Sequence, residues 1–213
     1  MSSPPRSGPP PDPGQATSLH VNRAVAGDTA STSWLIERLN PLLLAQAAFR
    51  MGPELRRTYD PADLVHEAWL VLLPRLGSLP PRDGRLTPVL LSYLSTTIIN
   101  KLNNLIRREL RRRLHHGATT DDDPVADLAG PRSEVISAIV HREAQSQVRD
   151  LLEELPQQDR EILLLRGIEQ QPTEDVAAML ELSHEAVYKR YSRALQRLRQ
   201  RLPDSVFAEL SDR

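Results

Sequence analysis

Apolar positions recur at helical spacing along most of the chain, in stripes broken by proline, glycine and small polar residues. The longest stripe is Leu91, Leu94, Ile98, Leu102 and Leu105, advancing by three or four residues, and it predicts a helix over roughly 89–114. Ahead of it, DPADLVHEAWLVLLPRL opens with Asp60 as cap and Pro61 at the first helical position. Leu64, Ala68 and Leu72 make its apolar stripe, and Pro74 and Gly77 close it. Trp34, Leu35, Leu39, Leu42, Leu43 and Phe49 predict earlier helical material that Pro41 interrupts or offsets. Residues 77–88 read as a loop. Further on, 134–155 and QQDREILLLRGIEQ predict two more helices. Thr173 to Arg201 then reads as a short helix capped by Thr173, a tight turn and a longer helix capped by Ser183. Alternating β patterns are absent, so the expected fold is all-α.

Composition adds boundaries. Residues 1–24 form an arm, rich at its start in proline, serine and glycine, that is expected to be disordered. Two small helical domains are expected at 25–114 and 134–203, with a flexible acidic linker at 115–133 and a tail at 204–213. The 213 residues include no cysteine, which excludes disulfides and thiolate metal sites. No run is apolar enough to span a membrane and no signal core opens the chain, so a cytoplasmic protein without membrane insertion is expected.

The net charge of −1 hides strong segregation. On the last long helix Lys189, Arg190, Arg193, Arg197, Arg199 and Arg201 stand against Glu185 alone. On the helix over 89–114, Asn100, Asn103 and Asn104 interleave with Lys101, Arg107, Arg108, Arg111 and Arg112, a mixture suited to base edges and phosphates. Between residues 143 and 182, ten acids outnumber three arginines, leaving an acidic side for a protein partner. A basic helix after a tight turn suits a helix-turn-helix, although a generic helical hairpin shares the pattern. Glu181 occupies the turn position where glycine is common.

Enzymatic chemistry finds little support. There is no glycine-rich phosphate loop and no nucleophile elbow. His66-Glu67 lacks the second histidine of a zinc helix, because residue 70 is Leu70. The three aspartates Asp121 to Asp123 lack the calcium-loop pattern. No cofactor and no metal are implied.

Taken in order, three segments resemble the extracytoplasmic-function (ECF) group of bacterial RNA polymerase sigma factors, across roughly residues 25–202. DPADLVHEAWLVL resembles the polymerase-binding helix. YLSTTIINKLNNLIRRELRRR resembles the promoter-melting helix, with Tyr93 where tryptophan is common. LEELPQQDREILLLRGIEQQPTEDVAAMLELSHEAVYKRYSRALQRLR resembles the C-terminal domain. The resemblance implies a non-enzymatic initiation factor whose partners are core RNA polymerase and promoter DNA, with an anti-sigma protein as a further expectation. Asp63, Leu64, His66, Glu67 and Leu70 would contact the polymerase's largest subunit. Asn100, Asn103, Asn104, Arg107, Arg108 and Arg111 would hold the minus-ten element, and loop 77–88 would take an unpaired base. Ser183, His184, Glu185, Ala186, Tyr188, Lys189, Arg190 and Arg193 would meet the minus-thirty-five groove, with Tyr188 affecting sequence preference. Ile162 to Leu165 would meet the flap of the second-largest subunit. The competing reading is a stand-alone helix-turn-helix regulator with an N-terminal sensing domain, which would bind duplex DNA without polymerase.

Overall fold

The computed structural model describes residues 13–114, 146–203 and 205–210. The expected linker at 115–133, the expected start of the second domain at 134 and residues 1–12 of the arm lie outside these. The described residues are helical, with one isolated bridge between Arg82 and Arg85 and no strand. The first unit contains α1 (Pro13–Val25), α2 (Thr29–Leu55), α3 (Pro61–Leu72) and α4 (Thr87–Leu114). A 3₁₀ turn, Leu73–Ser78, follows α3. The second contains the described part of α5 (146–153), α6 (Gln157–Ile162), α7 (Thr173–Leu180) and α8 (His184–Arg201). Ile162 leads from α6 into a wide π turn, Leu163–Ile168, and a 3₁₀ turn, Val206–Ala208, follows α8.

Local chemistry explains most boundaries. Asp28 caps α2, accepting hydrogen bonds from the Ala30 amide and the Ser31 hydroxyl. The Ser31 hydrogen bond leads the effects that hold the Asp28 carboxyl below its usual range. Asp60 caps α3 through the Ala62 amide, as the sequence implies. Pro41 lies inside α2 without ending it; the break comes at Gly52, whose φ of 67° and ψ of 170° suit glycine. Thr173 is not the cap of α7: Pro172 holds that position, and the Thr173 hydroxyl accepts from Arg166 instead. Ser183 does cap α8, accepting from the Ala186 amide.

The expected disordered arm to residue 24 is corrected from Pro13 onward, because α1 packs against α2 and buries Thr17 and Val21. His20 stacks on Trp34 with ring centroids 3.9 Å apart. Burial first, and Arg23 second, lower the His20 pKa from its ordinary value. The core of the first unit is the apolar seam of α4, from Leu90 to Leu105, set against Leu39, Leu43, Ala68 and Leu72. In the second unit Val187, Tyr191, Leu195 and Leu198 of α8 pack over Ile162, Leu163 and Val176. The tail is part of this core, with Val206, Phe207 and Leu210 all buried. Arg199 of α8 donates to the carbonyls of Phe207 and Leu210 and so fixes the tail's path.

Candidate nucleic-acid and polymerase interfaces

Burial of Leu91, Leu94, Ile98, Leu102 and Leu105 turns the opposite face of α4 to solvent. Asn100, Asn103, Asn104, Arg107, Arg108 and Arg111 are all exposed there. Asn100 and Asn104 also line a groove of about 740 Å³ together with Arg75, Arg82, Tyr93 and Lys101. Tyr93 is anchored at its edge, accepting from the Arg75 guanidinium at 2.8 Å. The loop after α3 folds back through paired backbone hydrogen bonds between Arg82 and Arg85, each 2.9 Å. Asp83 and Gly84 take positive φ at its tip, presenting both arginines.

On α3, Asp63, His66 and Glu67 are exposed, and Leu70 is an exposed apolar residue at 46%. Leu64, expected among the polymerase contacts, is buried, because its stripe is the one that meets α2 and α4. Glu67 is ion-paired with Lys101 of α4. The Trp69 indole donates to Asn40 at 2.7 Å and holds α3 on α2. Ile162 to Leu165, expected to present an apolar surface, are likewise buried, since the π turn carries them into the core.

In the second unit, α7 and α8 meet through a turn whose pivot is Glu181, at φ 53° and ψ 42°. Its amide and that of Leu182 both bond the Ala177 carbonyl. Glutamate thus takes the left-handed position that glycine favours. His184, Glu185, Tyr188, Lys189 and Arg193 are exposed along α8, with Ala186 half-buried. Lys189 pairs with Glu185 one turn earlier at 2.6 Å, a surface pair that a phosphate can replace. Arg190 is different. It reaches back to Asp159 of α6 at 2.8 Å and ties α8 to the rest of the unit.

The C-terminal part, residues 145–198, matches the family "Sigma-70, region 4". The chain is 30% identical over 186 residues to the ECF RNA polymerase sigma factor SigD of Mycobacterium tuberculosis, covering 87% of this chain and 84% of that protein. It is 31% identical over 188 residues to the ECF RNA polymerase sigma factor ShbA of Streptomyces griseus, covering 84% and 91% respectively. The chain belongs to the ECF sigma factors of the sigma-70 family. A looser likeness is to the structure of CnrH in complex with the cytosolic domain of CnrY, at 22% identity and a TM-score of 0.37. It covers 88% of this chain and 97% of that one.

This sigma factor carries groups that sequence inspection passed over. Arg75, Arg82 and Arg85 join the α4 surface only through the fold of the loop, and no local spacing announces them. Among the described residues, no three His, Asp or Glu side chains are placed to hold a metal ion. No helix among them is long and apolar enough to cross a membrane.

Proposed function

We propose that this sigma factor binds core RNA polymerase, recognises the minus-ten and minus-thirty-five promoter elements and helps to melt the duplex. Its place of action is the cytoplasm, where polymerase works, and an anti-sigma protein is an expected regulator. The observation that carries this reading is the pair of exposed basic helical faces, one on α4 and one on α8, each opposite a buried apolar seam of its own helix. Asn100, Asn103, Asn104, Arg107, Arg108 and Arg111 hold the minus-ten strand, amides towards bases and guanidiniums towards phosphates. The groove beside Tyr93, with Arg75 and Arg82 on its walls, receives the opened non-template strand. His184, Glu185, Ala186, Tyr188, Lys189 and Arg193 face the minus-thirty-five major groove. Ser183 acts there as the helix cap, and Arg190 as the residue that orients the helix. Polymerase docks on Asp63, His66, Glu67 and Leu70 of α3, where an exposed leucine among charges suits a protein partner.

Co-elution of the chain with sigma-free core polymerase, followed by transcription of a genomic fragment library, tests the reading. Stoichiometric binding and new discrete start sites are expected. Tight binding to bare duplex DNA without polymerase binding would instead make the chain a stand-alone regulator. Replacing Asp63 and Glu67 by alanine is expected to abolish co-elution while the far-ultraviolet dichroism stays unchanged.

A further inference from the structure

The loop after α3 and the start of α7 share a cavity of about 580 Å³, a size that suits a small organic ligand. Three guanidiniums line it, those of Arg82, Arg85 and Arg166, against two carboxylates, Asp83 and Glu174. Arg82 and Arg85 are exposed, and among the described residues neither guanidinium has a hydrogen-bond or ion-pair partner. Arg166 comes from the π turn and is half-buried. It donates to the Thr173 hydroxyl and lies over the Tyr191 ring at 5.1 Å. Its Nε is shut off from solvent and has no partner among the described residues. A guanidinium held by a hydroxyl and an aromatic face, rather than by an acid, keeps its charge available to an anion. Both carboxylates are exposed, so water screens them more than it screens Arg166. The first turn of α7 adds to the attraction. Pro172 caps it without a side-chain hydrogen bond, and the amides of Thr173, Glu174 and Asp175 have no acceptor within the helix. Such amides, with the positive end of the helix dipole, favour an anion.

We propose that this cavity binds a small anion carrying several phosphate charges, either inorganic polyphosphate or the phosphate chain of a nucleotide. Arg166 and the first amides of α7 hold one part of it. Arg85 and Arg82 hold another, through the bidentate contacts that planar guanidiniums make with phosphate. The donors come from two separate elements, so a ligand with more than one phosphate is the kind that meets them all. Gln171 lines the same cavity, and its side-chain amide has no partner among the described residues. That amide can pair with a base edge, which would make a nucleotide the tighter ligand. Of the three arginines only Arg82 also lines the groove beside Tyr93, so Arg85 and Arg166 report on this cavity alone. The proposal therefore stands apart from the assignment of the promoter contacts.

Isothermal titration of the full chain with inorganic triphosphate, then with ATP and with GTP, all without added magnesium, tests this. Saturable binding at a single site is expected, together with a ligand-dependent rise in Tm. Arg85→Gln, at an exposed position that the core does not use, should weaken binding roughly tenfold, because a charge-assisted hydrogen bond is lost. Arg166→Gln should weaken it at least as much at unchanged helical dichroism. If that variant fails to fold, Arg85→Gln decides alone. Arg108→Gln removes the same charge from the outward face of α4 and should leave binding within about twofold. Equal affinity for triphosphate and ATP supports a site that reads phosphate alone, and tighter ATP or GTP supports a nucleotide site with a base contact. Absence of saturable binding overturns the proposal. Equal weakening by Arg85→Gln and Arg108→Gln overturns it too, since that result means diffuse attraction to a basic surface. A single-stranded oligonucleotide is the remaining competitor. If it displaces triphosphate and its own binding falls as much with Arg85→Gln and Arg166→Gln, the cavity belongs to the DNA-binding surface and the proposal falls.

Discussion

Arg190 and Arg193 lie almost one turn apart on α8, yet they face different tasks. Arg193 is exposed, while Arg190 is held at 2.8 Å by Asp159. Arg193→Ala is therefore expected to weaken transcription with no change in Tm. Arg190→Ala is expected to weaken transcription and also to lower stability by about 1 kcal/mol, a partly exposed pair being discounted for screening. Thermal melts beside transcription assays separate the two, and equal Tm values would contradict the assignment. Glu181 supplies a second residue-level test. Its left-handed backbone costs a side-chain-bearing residue about 1–2 kcal/mol, partly offset because glycine loosens the unfolded chain. Glu181→Gly should raise stability by a net amount of about 0.5–1 kcal/mol in urea titrations. The sequence pointed to both positions, but a residue's type does not say which way its guanidinium turns. Leu64 is the opposite case: its place in the stripe with Ala68 and Leu72 already turned it inward, and only the family resemblance set it among the contacts.

At the scale of elements, α4 was legible because its apolar residues keep a strict helical period over four turns, and burial follows that seam. Ser183 and Asp60 were legible as caps because their short oxygens reach the nearby amides. Helix α1 was not, because its buried face includes a threonine, Thr17, in a segment whose composition reads as solvated. The docking of α1 should depend on pH through His20. Its folded pKa lies below the usual 6.5, so the fold favours the neutral ring and the unfolded segment binds the proton more readily. The stabilisation is thus complete above about pH 6.5 and is lost as the pH falls through the folded value. Fluorescence of Trp34, which stacks on His20, should report α1 release on acidification from pH 7.5 to 5.5. His20→Phe should remove that dependence.

At the scale of the molecule, two part-buried ion pairs join the halves, and neither was legible in the sequence. Arg38 and Glu209 are 171 residues apart and Arg50 and Glu169 are 119 apart, beyond the reach of any periodic pattern. The expected picture of two domains joined by a linker said nothing of their association. Removing Arg50 leaves the Glu169 carboxylate with the Gln46 amide as donor, so Arg50→Ala should cost about 1–3 kcal/mol of the coupling between the halves. Calorimetry should show the single transition of the native chain splitting into two, whereas one undivided transition would mean that the halves melt together for another reason.

The bond between Thr17 and Glu209 spans 192 residues of chain. Synthesis at about 5–20 residues per second puts roughly 10–40 s between the appearance of these two residues at the ribosome. Until residue 209 is made, the first unit has the Thr17, Arg38 and Thr87 donors but no carboxylate for them. The first unit must then keep itself soluble, and threonines and an arginine at the vacant site suit water in the meantime.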